Sequence, residues 1–379
     1  VAVGTMGAGG RTVFALDVSD PTDMRAADVL WEFRHPELGT GVTQPTITQL
    51  TDGTWAAIFG NGYNSTGYQA SLFVVDLATG ELIKQIQTDV GSAEAPNGLA
   101  TPTVTAWPSY NGARFAYAGD LAGNMWRFSL TGNGDVNQLY QGNDSQPITS
   151  APAVTLSSGS PDTLLISFGT GSYFRNGDIG DRSTQQLIGL RDQVNRSSTI
   201  TQSDLLLQRI TGENSQSGFN RRASTNFAPD SNDVGWRLEL PAGERVIAAP
   251  SISSSLPRRV RFSTLLPDES DPCGGGRSGF FMSLLADTGG SGGSTTFDFN
   301  GDGTPDSDAT INGNAITGLQ AGTGERLVGV NDGNIERLFV GNPDDPNASP
   351  NGDGSITIGF SDDHLGRRSW RQLTGEEND

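Results

Sequence analysis

Gln44-Pro45-Thr46-Ile47-Thr48 opens a pattern that returns three times, as Thr101-Pro102-Thr103-Val104-Thr105, Ala151-Pro152-Ala153-Val154-Thr155 and Ala249-Pro250-Ser251-Ile252-Ser253. In each, a small or polar residue and a proline lead into a short alternating run. Proline is tolerated at the first position of a strand, where no ladder donor is needed. The first three stretches lie 57 and 50 residues apart, and the fourth follows after about twice that gap, which marks a repeated unit. A second, apolar strand ending in glycine follows the first three: Trp55 to Gly60, Arg114 to Gly119 and Thr163 to Gly169. Third strands are read at Ser71 to Asp76, Asn124 to Ser129 and Gln186 to Arg191, and a fourth at Leu82 to Ile86 after the turn Ala78-Thr79-Gly80-Glu81. Four strands per unit of about 40–50 residues is the signature of a β-propeller blade.

Outward from this core the pattern loosens. Thr12 to Asp17 and Val29 to Phe33 read as the last two strands of an opening unit. Its first two strands are expected from upstream sequence or from the C-terminus, because closing the ring removes exposed edges. Residues 194–232 read as a polar insertion, after which Trp236 to Leu240 resumes a strand. Later runs at 259–263, 279–284, 326–330, 335–340 and 355–359 complete five or six recognisable units, with Trp370 in the tail expected to pack on the last. One β-propeller over residues 1–379 is therefore expected, with a second insertion at 291–312.

Composition agrees. Hydrophobic residues make up 34% and glycine 51 of 379, roughly twice its usual share of about 7%, which suits short strands and tight turns. The net charge of −19 argues against nucleic acid or anionic lipid as partners. No run reaches the roughly 18 apolar residues of a membrane helix. The single cysteine, Cys273, can form no disulfide within the chain and leaves the redox compartment open. The opening at Val1 has neither methionine nor leader character, which reads as a mature protein or a fragment of a longer one.

The 291–312 insertion holds the strongest chemical signal, Asp298-Phe299-Asn300-Gly301-Asp302-Gly303-Thr304-Pro305-Asp306. Asp298, Asn300, Asp302 and Asp306 put side-chain oxygens at positions 1, 3, 5 and 9 of an EF-hand-type loop; Gly303 takes the sharp turn and Thr304 offers its carbonyl. Position 12 is Ala309, so Asp306 is the natural replacement for the usual glutamate. The nearest arginines along the chain, Arg277 and Arg326, are too distant in sequence to neutralise three crowded carboxylates. Oxygen-only donors favour Ca²⁺. The bland alternative is a solvated Asp/Asn/Gly turn.

Several ordered motifs resemble the C-terminal domain of the PilC/PilY family of type IV pilus biogenesis and tip-adhesin proteins. They are Gly7 to Pro21, Phe59-Gly60-Asn61-Gly62-Tyr63, Gly119-Asp120-Leu121-Ala122-Gly123-Asn124-Met125-Trp126-Arg127-Phe128, Phe168 to Phe174 and Arg368-Ser369-Trp370-Arg371. The resemblance implies a modified β-propeller of about seven four-stranded blades carrying an EF-hand-like calcium loop, with Asp298, Asn300, Asp302, Thr304 and Asp306 on the family's loop pattern. It also implies a non-enzymatic role in pilus extension against retraction, twitching motility and surface adhesion. The expected partners are minor pilins of the pilus tip complex and a host-cell or abiotic surface receptor. The expected location is the pilus tip, cell surface or outer membrane of a Gram-negative bacterium. The Arg-Gly-Asp tripeptide of some members is absent, which puts integrin-type attachment by that route in doubt.

Two other readings compete. Val75-Asp76-Leu77-Ala78-Thr79-Gly80-Glu81 is similar to the turns of quinoprotein dehydrogenase propellers, but Ile86 stands where their tryptophan would be and their paired cysteines are missing. The turn reads instead as a blade-packing device, since Asp and Thr side chains can bond the turn backbone. A carbohydrate-binding propeller would stack sugars on Trp55 or Trp107, whereas Trp31, Trp126 and Trp236 read as core. His35 and His364 read as structural or solvent-facing, and neither a nucleophile elbow nor a P-loop occurs. Asn133-Gly134-Asp135, Gly177 to Asp181 and Asp344 to Gly354 are better read as turns than as metal sites.

Overall fold

The computed structural model describes residues 1–320 apart from 42–43, 217–218, 254–255, 268–277, 300–303 and 307–308, and beyond them the backbone of three strands. Strands β1 (Ala2–Thr5), β2 (Val13–Leu16) and β3 (Val29–Phe33) form the first sheet. The second is the meander β4 (Thr46–Gln49), β5 (Trp55–Gly60), β6 (Ser71–Asp76), β7 (Leu82–Gln87), and the third is β8 (Thr103–Thr105), β9 (Phe115–Gly119), β10 (Met125–Ser129), β11 (Val136–Tyr140). The fourth begins with β12 (Ala153–Ser157), β13 (Ser160–Gly169) and β14 (Gln186–Asp192). The chain then runs through β15 (Leu206–Gln208), β16 (Ile210–Gln216), β17 (Phe219–Ser224) and β18 (Gly235–Glu239). Next come β19 (Ser251–Ile252), β20 (Arg259–Ser263), β21 (Phe280–Leu285), β22 (Thr310–Ile311) and β23 (Asn314–Gln320). A last sheet joins β24 (Val328–Asp332), β25 (Ile335–Phe339) and β26 (Ser355–Gly359).

This is the expected all-β propeller, with the four proline-led runs becoming β4, β8, β12 and β19. Two of the six described sheets have four strands. The fourth is extended by β18 and β15, and the fifth runs β19-β20-β21-β23-β17-β16 with β22 at its side. The extra strands β15, β16 and β17 come from residues 194–232, so this polar stretch supplies sheet edges as well as loops. The first sheet also finds a strand, β1, at residues that the sequence reading left unassigned.

Alternation explains why the central strands read as unbroken apolar runs. On β5 and β6, Ala57, Phe59, Phe73 and Val75 pack toward the first sheet, while Ala56, Ile58, Leu72 and Val74 pack toward the third. Both faces of the strand are covered, so both sets of side chains are apolar, and burying each large one contributes about 1.5–3 kcal/mol. The same division recurs on β13, where Leu164, Ile166 and Phe168 face the third sheet and Leu165 the fifth. Gly60, Gly119 and Gly169 close their strands against the lead-in to the next sheet: a Cβ there would lie 2.3 Å from Ala100 O, 2.2 Å from Ile148 and 2.4 Å from Val246.

Candidate functional site

The motif residues that follow the second strands turn out to be junctions. The backbone N–H of Asn61, Asp120, Thr170 and Thr264 each donates to the carbonyl of the residue across the next strand's start: Ser71, Asn124, Gln186 and Phe280. The side-chain oxygen of each then accepts that same partner's N–H, at 3.1, 2.8, 2.8 and 2.7 Å. Asn61 Oδ1 also takes Leu99 N–H from the next sheet's lead-in at 3.0 Å. A short polar side chain at this position therefore satisfies backbone groups that would otherwise be buried unpaired. Asp120 is the extreme case. Fully buried, its carboxylate accepts from Asn97 Nδ2, Asn124 N–H, Asn124 Nδ2 and Trp126 Nε1 at 2.7–3.0 Å. Burial pushes its carboxyl above the ordinary 3.8, and the four donors oppose that rise.

Other buried charges are likewise built in. Asp192 accepts both Tyr117 Oη at 2.7 Å and Arg127 Nη1 at 3.0 Å. Arg222 makes a bidentate pair with Glu244, and Glu244 also accepts Thr264 Oγ1 at 2.6 Å. Buried charges are tolerated when paired in this way. Nothing in these nodes presents a free nucleophile or base. Burial drives the Tyr117 hydroxyl far above its ordinary 10, so Tyr117 serves as a donor. His35 lies 5.1 Å from the Phe73 ring and its Nδ1 accepts Glu37 N–H, a structural role.

The Asp76 turn packs blades as expected. Asp76 Oδ1 accepts Ala78 N–H, Thr79 N–H and Thr79 Oγ1, and Trp31 of the first sheet donates Nε1 to Leu77 O at 2.9 Å. Gly80 (φ 75°) lies under that indole, where a Cβ would sit 2.6 Å from the ring. Trp236 repeats the arrangement on Gly289, with Nε1 donating to Ala286 O at 2.9 Å, and Ile86 lies on Gly134 in the same way. Asn133 to Asp135 is thus a packing turn. Asp178, within the 177–181 cluster, accepts Phe174 and Arg175 N–H groups and pairs with Arg175. Trp107 corrects the sugar-stacking expectation: it is buried and donates Nε1 to Pro161 O at 3.1 Å, whereas Trp55 is exposed.

At the proposed calcium loop the structure describes Asp298, Thr304 and Asp306; Asn300 and Asp302 lie outside the described residues, as do Cys273, His364, Trp370 and the 344–354 cluster. Phe297 anchors the loop in a core with Phe281, Ile316 and Leu319, and Asp298 beside it is buried. Asp306 donates its N–H to Phe297 O at 3.0 Å, and its carboxylate accepts Phe299 N–H at 2.5 Å. These two bonds draw positions 1 and 9 of the loop together, while Thr304 stays exposed. A closed loop with only oxygen donors fits a hard cation. Among the described residues no three acidic, His or Cys side chains converge on one point. One expectation needs correcting. A cation is close in space although distant in sequence: Arg221, on β17, lies 3.9 Å over the Phe299 ring. Burial lowers its pKa from the ordinary 12.5, and Asp306 opposes that fall. The sequence missed this because β17 pairs with β23 across almost a hundred residues.

The hairpin after the loop was missed too. Asn312 (φ 52°) and Gly313 (φ 76°) form the two-residue turn between β22 and β23. Asn-Gly is the strongest short hairpin signal, and it stood in the sequence unread.

Comparison with known proteins follows from this geometry. A family profile described as the PilY1 beta-propeller domain matches residues 1–145. The type IV pilus biogenesis factor PilY1 of Pseudomonas aeruginosa (strain UCBPP-PA14) is 32% identical over 98% of the chain and 36% of its own length. A PilY1 homologue of Xylella fastidiosa is 34% identical over 98% of the chain and 30% of its own length. The chain thus spans about a third of these relatives. The crystal structure of the Pseudomonas aeruginosa PilY1 C-terminal domain superposes with a TM-score of 0.76 at 26% identity, covering 94% of this chain and 80% of that one.

Proposed function

The chain belongs to the PilY1 family of type IV pilus biogenesis factors, through that family's β-propeller domain, and we propose that it acts in pilus assembly as a rigid binding disc rather than as a catalyst. The match of 98% of this chain to about a third of the length of pilus biogenesis factors carries this reading. Its support within the molecule is that the motif residues serve as junctions between sheets, which leaves the inserted loops to recognise partners. The partners in this reading are minor pilins and a host-cell or abiotic surface receptor. The outcome is pilus extension against retraction, twitching motility and adhesion from the pilus tip, cell surface or outer membrane.

Asp298, Asn300, Asp302, Thr304 and Asp306 would hold one Ca²⁺. Bound calcium would cancel the mutual repulsion of the three carboxylates and so order the loop. Asp298 and Asp306 are placed by the Phe297 anchor and by the bond from Phe299 N–H to Asp306. The test is complementation of a strain of the source bacterium lacking this protein, scored by surface pili and twitching-zone diameter. The unaltered full-length protein is expected to restore both and Asp298→Ala neither. Failure of the unaltered protein contradicts the pilus reading; full rescue by Asp298→Ala contradicts only the calcium part.

A further inference from the structure

Six Asn-Gly pairs lie wholly among the described residues, beginning at Asn61, Asn97, Asn111, Asn133, Asn176 and Asn312. In such a pair the backbone nitrogen of the glycine can attack the asparagine Cγ, because glycine has no side chain to obstruct the approach. A bond forms from the glycine N to Cγ, the Cγ–Nδ2 bond breaks, and ammonia leaves with the glycine's amide proton. Water then opens the resulting cyclic imide at either carbonyl, giving aspartate or isoaspartate. The attack needs a free side-chain amide, an unengaged glycine N–H and room for the backbone to turn.

The fold withholds these from five of the six pairs. Asn61 and Asn97 are buried. Asn61 Nδ2 donates to Glu37 O at 3.1 Å and Gln69 O at 2.8 Å, and Asn97 Nδ2 to Val90 O at 3.1 Å and Asp120 Oδ2 at 2.9 Å. Asn312 Nδ2 donates to Thr211 O at 3.2 Å. After Asn133, the N–H of Gly134 donates to Thr131 O at 3.3 Å, beneath Lys84 and Ile86. After Asn111, Gly112 is wedged against the second sheet, where a Cβ would lie 2.6 Å from Leu50 O. Asn176 is the exception. It and Gly177 are exposed, and neither its amide nor the Gly177 N–H has a hydrogen bond among the described residues. A Cβ on Gly177 would meet nothing within 4 Å, so the backbone there has room to move.

The surrounding turn gives the reaction a consequence. Asp178 is buried, and its carboxylate accepts Phe174 N–H at 2.9 Å and Arg175 N–H at 2.8 Å, while its carbonyl accepts Arg245 Nη1 at 2.5 Å. Phe174 in turn stacks on Tyr63 from the second sheet's loop, with ring centroids 4.5 Å apart. An isoaspartyl link adds a methylene to the backbone between Arg175 and Asp178, so the carboxylate and the two N–H groups it holds can no longer keep their spacing.

We propose that Asn176 is a deamidation site whose conversion to isoaspartate loosens the Asp178 turn and the Phe174–Tyr63 contact between the second and fourth sheets. The test is incubation of the whole chain in mildly alkaline buffer, folded and urea-unfolded, followed by peptide mapping with isoaspartate methyltransferase labelling. In the folded chain Asn176 is expected to convert first, at least about tenfold faster than Asn61 or Asn97, whose hydrogen bonds must break beforehand. In urea the rates of the pairs should draw together, because the chemistry is common to all of them. Conversion of any of the other five ahead of Asn176 in the folded chain, or the same order and spread in urea, would overturn the proposal. That comparison needs no variant. Aged wild type should also melt lower than Asn176→Gln aged in the same way, since the longer glutamine side chain cyclises far more slowly. Equal melting of the two would overturn the link to the Asp178 turn.

Discussion

Asp120 sits where a single side chain closes one sheet and receives the next, and its four donors make its chemistry hard to replace. Asp120→Asn keeps the size but turns an amide toward Asn97 Nδ2, Asn124 Nδ2 and Trp126 Nε1, which are all donors. The expected loss is about 1–3 kcal/mol, measured by urea unfolding. The loss should depend on pH. A carboxyl raised by burial holds its proton more tightly in the folded chain, so its contribution is full below the ordinary 3.8 and is lost as pH rises to the folded value. The stability gap between the wild type and Asp120→Asn should therefore narrow as pH rises through that window. A gap that widened would mean that the donors outweigh burial. The sequence offered Asn61, Asp120 and Thr170 only as parts of matching motifs. Their shared duty was not legible, because Asn, Asp and Thr are different residues and their partners lie from 4 to 16 residues away.

Among the elements, the contact between the strand that follows a sheet's third strand in space, or the last strand of the first sheet, and the glycine turn of the next sheet recurs as Trp31 on Gly80, Ile86 on Gly134 and Trp236 on Gly289. Gly80→Ala places a methyl group against the Trp31 ring at φ 75°, and should cost about 1–3 kcal/mol in thermal unfolding. Trp236→Phe keeps an aromatic ring but leaves Ala286 O without its 2.9 Å donor, for a loss of about 1–3 kcal/mol. If either change is neutral, the turn is not a docking point. The strands themselves were readable: β5, β6, β20 and β26 begin and end at the residues that the apolar pattern picked out. Order within the larger sheets was not readable. β17 reads as polar sequence, and its pairing with β23 depends on contacts that no local pattern encodes.

For the whole molecule, the first five sheets share a core with each neighbour in turn and so make a stiff series on which one buried-ended loop is mounted. The acidic loop was the clearest chemical signal in the sequence, whereas Arg221 beside it became visible only in three dimensions. That guanidinium offers a rival way to balance Asp306, so the loop's cation is the point on which the account depends. Calorimetric titration of Ca²⁺ into this chain, beside Asp302→Ala, decides it. The account predicts saturable one-site binding that disappears in Asp302→Ala while the melting temperature without calcium stays the same. No binding to the unaltered chain, or equal binding to both, would contradict it and leave the loop balanced by the protein's own charges.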